Sequence, residues 1–95
     1  MILEIATLDI KEGSQEALKE AFQAAKLVVS QSKGFISVEL HQCIEVSTKF
    51  NVFIYWETLE DHTIGFRQSP LFIEWRAILS PFFQNPPVAE HFNLI

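Results

Sequence analysis

The 95-residue chain reads as an α+β fold with the element order β-α-β-β-α-β. Three observations predict it. Leu18, Phe22, Ala25 and Val29 recur at helical spacing in one long segment. An alternating run at residues 35–45 is followed, after a short break, by a second extended run at residues 49–57. Ser69-Pro70 then opens another helical stretch before the chain ends in the extended tail VAEHFNLI.

Residues 2–10, ILEIATLDI, form the first strand and stop at the turn signal Lys11-Glu12-Gly13. Ser14 is placed to cap a helix whose first turn carries Gln15 and Glu16, suited to the positive end of a helix dipole. Ala17, Ala21 and Val28 widen its apolar stripe, and Lys33-Gly34 ends it. In the second strand Ile36, Val38, Leu40 and Ile44 fall on one side and Ser37, Glu39, His41 and Cys43 on the other. Val46-Ser47-Thr48 reads as the hairpin connection to the third. Thr58-Leu59-Glu60-Asp61 resembles a capping box and starts a helix; Ser69 caps its continuation, residues 71–79, which Pro81 breaks. Gln84-Asn85-Pro86-Pro87 reads as a loop before the last strand. This order is the ferredoxin-like layout, in which the helices cover one face of an antiparallel sheet.

The third strand is apolar on both sides: Phe50, Val52, Ile54 and Trp56 on one, Phe53 and Tyr55 on the other. A strand with one face in water would alternate cleanly. One layer of helices covers only one face, so a second copy packed sheet to sheet is predicted, giving a homodimer.

Composition narrows the function classes. With 48% hydrophobic and 20% charged residues the chain is expected to be globular, one domain spanning 1–95. No apolar run reaches the ~18–20 residues that cross a bilayer, and the first residues, with Glu4 and Asp9, lack the basic start of a signal peptide. A net charge of −5 argues against nucleic acid as a partner. The single cysteine, Cys43, excludes an intramolecular disulfide and fits a reducing cytoplasm; it reads as a quiet small residue. Only three glycines are present, none in a phosphate loop, so no nucleotide cofactor is expected. The three histidines show no metal spacing, and no metal is expected either. Ten of the twelve aromatics lie between Phe50 and Phe92, enough for a core with an aromatic-lined cavity.

The stretches GFISVELHQ, VFIYWETLEDH and SPLFIEWRA, with the closing PPVAEHF, resemble the antibiotic biosynthesis monooxygenase (ABM) superfamily. The resemblance implies a dimeric α+β barrel with a ligand cavity between each copy's helices and sheet. It also implies cofactor-independent oxidation, with molecular oxygen, of an aromatic hydroquinone, phenol or anthrone. Carried over by position, His41 is the catalytic histidine, Arg76 the catalytic arginine and Trp56 the cavity tryptophan. Val52 and His62 stand where relatives have asparagine and tyrosine, and Phe66 where many carry histidine; all three are assigned to substrate binding. The haem-degrading members' asparagine and iron-ligating histidine match Ala6 and Arg76, and arginine has no lone pair for iron.

In these roles His41, with an unperturbed pKa of ~6.5, is the general base, and Arg76 stabilises the phenolate or enolate that deprotonation creates. Trp56 supplies cavity wall, and His62 is a polar substrate contact. His91 reads as structural, and Glu39 as too far along its strand to touch His41 directly. His41 shares a face with Trp56 only if the hairpin loop is even; an odd loop puts it with Phe53 and Tyr55. A non-catalytic ligand-binding dimer and an isomerase or decarboxylase of the same superfamily are the alternatives.

Overall fold

A computed structural model describes all residues, 1–95. It has β1 (Ile2–Ile10), α1 (Gln15–Val29), β2 (Phe35–Gln42), β3 (Lys49–Trp56), a π-helical turn (Asp61–Phe66), α2 (Pro70–Leu79), a 3-10 turn (Ser80–Phe82) and β4 (Phe83–Phe92). The strands form one antiparallel sheet in the order β2-β3-β1-β4, the ferredoxin-like topology.

Strand period two explains which residues meet the helices. Leu8 and Ile10 of β1 and Phe50, Val52, Ile54 and Trp56 of β3 point inward. They pack with Leu18, Phe22, Ala25 and Val29, the stripe expected on α1, and with Phe66 and Leu79. Each large side chain buried here contributes about 1.5–3 kcal/mol relative to exposure.

Capping differs in detail from the sequence expectation. Neither Ser14 nor Ser69 makes a side-chain cap bond; Gly13 N donates to Gln15 Oε1, and Ser69 Oγ donates to the Phe66 carbonyl. Pro70 does occupy the first helical turn. Half of the Thr58 box forms, with Asp61 N donating to Thr58 Oγ1 at 3.1 Å, and it opens a π-helical turn rather than an α-helix. Gly34 is required: its φ of +82° is left-handed, and a Cβ there would collide with the Asp61 carboxyl group.

Two expectations are corrected. Residues 84–87 are strand, with Asn85 paired to Asp9; β4 lies at the sheet edge, where prolines remove no internal ladder bond. The hairpin parity is odd. Gln42 pairs with Phe50, leaving residues 43–49 between them, so His41 pairs with Asn51 and faces away from Trp56. Val38 and Leu40 are the β2 residues turned to the helices, and a register shift between Phe35 and Ser37 brings Phe35 edge-on to Trp56.

Candidate active site

A cavity of about 550 Å³ lies between the helices and the sheet, within the size range of small-molecule sites. Ala6, Val52 and Ile54 form its sheet-side wall, and Phe66, Phe72 and Trp75 its helix-side wall. The aromatic rings pack edge to face, Phe66 against both Phe72 and Trp75, which fixes the wall's shape.

Four ionisable side chains interrupt this lining, Glu4, His62, Arg67 and Arg76, beside the neutral polar Ser80, Gln84 and Asn85. Glu4 shares the inward parity of Ala6, Leu8 and Ile10, so the strand forces a carboxyl group into the core, where it is only 6% exposed. Trp56 Nε1 donates to Glu4 Oε1 at 2.9 Å, and His62 Nε2 stands 3.4 Å from the same oxygen. The His62 ring is 2% exposed and stacks on Trp56 with centroids 5.3 Å apart. Its Nδ1 is 2.7 Å from His91 Nε2.

The π-helical turn produces part of this grouping. Arg67 N donates to the His62 carbonyl at 3.0 Å, an i→i+5 bond, and this wider turn lets His62 and Arg67 line one cavity. Arg67 and Arg76 flank the Phe72 ring at 5.9 and 5.8 Å. Neither guanidinium has a carboxylate partner within ion-pair distance, so both keep their charge free at the cavity.

Burial governs the protonation states. It raises the Glu4 pKa above the usual carboxylate range, opposed by the Trp56 hydrogen bond and by Arg67. It lowers His62 to about 4, with Arg67 and then His91 adding to the effect, so His62 is neutral at pH 7. His91 is lowered for the same reasons, burial first and Arg67 second.

Of the residues expected at the site, Val52, His62, Phe66 and Arg76 line the cavity. His41 does not. Its side chain is 58% exposed on the opposite face of the sheet, edge-on to Phe53, and held at 2.9 Å by Glu39 directly. Trp56 is fully buried and does not reach the lining; His62, stacked on it, does. Sequence reasoning missed Glu4, Arg67 and His91. Only Glu4 carried a signal, as the one charge on the apolar parity of the first strand.

The chain belongs to a family of small α+β proteins defined by this fold: residues 1–78 match the family Antibiotic biosynthesis monooxygenase. It is 44% identical over 93 residues to the uncharacterized protein YczJ of Bacillus subtilis (strain 168), covering 98% of each chain. It superposes on a Bordetella bronchiseptica protein assigned to the same family with a TM-score of 0.96 and 30% identity, covering 99% of this chain and 96% of that one. A monooxygenase from the Streptomyces coelicolor gene ActVA-Orf6, solved with the ligand nanaomycin D, shares the fold at a TM-score of 0.83. Identity there is 22%, with coverage of 99% and 87%. No helix here is long and apolar enough to cross a membrane.

Proposed function

We propose that this chain is a monooxygenase that oxidises a flat phenolic compound, of the hydroquinone, phenol or anthrone type, with molecular oxygen and without metal or flavin. The carrying observation is the joint placement of Glu4 and His62, beside the two unpaired guanidinium groups, on one aromatic-walled cavity. That the fold holds nanaomycin D in a relative supports a small-molecule ligand of this size class.

For an anthrone the chemistry balances as follows. Glu4 takes a proton from the substrate methylene, and its raised pKa brings it closer to that of the acid it must deprotonate. Arg67 and Arg76 stabilise the enolate charge. The carbanion carbon bonds to oxygen, and a proton completes a hydroperoxide. The O–O bond then breaks, the second methylene hydrogen leaves with the departing oxygen as water, and a carbonyl forms. The carbon loses four electrons and dioxygen gains them. His62 acts as neighbour to the base and as a substrate contact, Phe66 and Val52 as walls, and Trp56 as the anchor that holds Glu4 and His62 in place. His41, on the far side of the sheet, has no part in this cavity.

The test is oxygen uptake by chelator-treated protein with 1,8-dihydroxy-9-anthrone and 1,4-naphthohydroquinone. Uptake above the protein-free rate is expected, reduced about a hundredfold in kcat/KM by Arg76→Ala. Tight binding without turnover would instead make the chain a binding module. Turnover under argon would make it an isomerase or decarboxylase.

The working unit is proposed to be a cytoplasmic homodimer. Leu3 and Ile5 of β1, Phe53 and Tyr55 of β3, and Val88 and Phe92 of β4 lie on the sheet face opposite the helices, all half-buried or exposed. Sedimentation should give twice the 10.9 kDa chain mass, and Phe53→Glu should return it to the mass of one chain. A wild-type mass of one chain would refute the dimer.

A further inference from the structure

The Glu4–His62 pair continues past the cavity. The β1–β4 register sets His91 directly across from Glu4 on the same sheet face, and the π-helical turn lowers His62 onto both. The sequence Glu4 Oε1, His62 Nε2, His62 Nδ1, His91 Nε2 has separations of 3.4 Å across the first gap and 2.7 Å across the second. Glu4 and His62 line the cavity; His91 does not, and it is only partly buried on the edge strand. No buried side-chain nitrogen lacks a partner, and His91 Nδ1 has none within the protein, so that atom meets solvent.

We propose that Glu4, His62 and His91 form a proton relay that carries the substrate proton from the ligand-filled cavity to water, with His91 as its outlet. The inference rests on the deprotonation step of the proposed oxygenase. A flat ligand filling the cavity would keep water from Glu4, so the proton needs a route through the wall. Each transfer is a single proton shift. The carboxyl O–H of Glu4 gives its proton to His62 Nε2, the Nδ1–H of His62 passes to His91 Nε2, and the Nδ1–H of His91 leaves to water. Glu4 returns to carboxylate and both imidazoles end as the opposite neutral tautomer, with Nε2–H in each. The 3.4 Å gap is long for the first transfer, and catalytic hydrogen bonds commonly tighten when substrate binds. Because the side chain of His91 hydrogen-bonds to His62 and lies outside the cavity lining, it is a positioning and transfer residue and not one that meets substrate.

The experiment mixes protein with 1,8-dihydroxy-9-anthrone under argon. Formation of the coloured anion is followed together with proton release to a dilute pH indicator. In wild type the two should coincide. In His91→Phe proton release should slow at least about tenfold, with probe affinity within about twofold of wild type. His91→Gln, which keeps a hydrogen bond to His62 but cannot exchange tautomers, should be as slow, and imidazole added to His91→Ala should restore the rate. Release from His91→Phe or His91→Gln that keeps pace with wild type would overturn the relay, as would failure of wild type to ionise the bound probe. Because oxygen is absent, a wild type that ionises the probe with His91-dependent release but later consumes no oxygen sustains the relay and overturns only the oxygenase reading.

Discussion

Glu4→Gln is expected to lower oxygen uptake with 1,8-dihydroxy-9-anthrone by about 10²–10⁴-fold, the range removed when a positioned general base is lost. The substitution keeps the side chain's size, and the glutamine carbonyl still accepts from Trp56 Nε1, where the carboxylate now does so at 2.9 Å. What is lost is the proton-accepting oxygen pair. The loss should therefore fall on kcat, with KM moving little, and the melting temperature should hold or rise because a desolvated carboxyl is replaced by a neutral amide. An oxygen electrode and a thermal melt on the same sample check both parts. Unchanged kcat in a folded Glu4→Gln variant would remove Glu4 from the chemistry.

The second large effect is on stability in acid. His62 has a folded pKa of about 4 against 6.5 in the unfolded chain. Below pH 6.5 the unfolded state binds a proton that the folded state refuses, so stability falls as pH drops from about 6.5 to about 4. At 1.36 kcal/mol per pKa unit the full loss is roughly 3 kcal/mol. His91, also lowered, acts in the same direction. Glu4 opposes it: its raised folded pKa gives a contribution present at low pH and lost as pH rises through that value. Arg67 is the cation whose charge acts on all three groups. Urea unfolding of wild type and His62→Gln between pH 7 and pH 4 isolates the His62 share. The difference in their stabilities should shrink by roughly 3 kcal/mol toward acid; a constant difference would mean His62 titrates normally.

The fold was legible because its signals are periodic. The stripe on α1 and the two-sided apolar character of β3 each follow from one repeating rule, and a single misplaced residue does not erase it. The site depends on relations that have no period. His41 was placed on the wrong face because one residue of loop parity reverses a whole strand, and residues 43–49 give no turn signature that fixes it. Residues 84–87 looked like a loop because two prolines oppose a central strand, whereas β4 is at an edge. His91 meets Glu4 through a β1–β4 register that includes two shifts, which no local pattern announces. Arg67 joins His62 through a π-helical turn, one residue wider than the helix that the Thr58 box predicts. Val52, His62, Phe66 and Arg76 came through the family resemblance, since inward parity alone would have marked many core residues equally. Glu4 was the exception that residue-level reading alone could have found: a carboxylate among Ala6, Leu8 and Ile10 is costly to bury unless partnered, and its partners are the site.

The most direct measurement of the central claim is the origin of the oxygen in the product. Metal-stripped protein is given 1,8-dihydroxy-9-anthrone under ¹⁸O₂, and the anthraquinone product is weighed by mass spectrometry against a protein-free control. One ¹⁸O atom per product, formed faster than in the control and at a rate that Glu4→Gln lowers, is the predicted result. Product formed only at the protein-free rate, or carrying oxygen from water, would contradict oxygenation by this cavity.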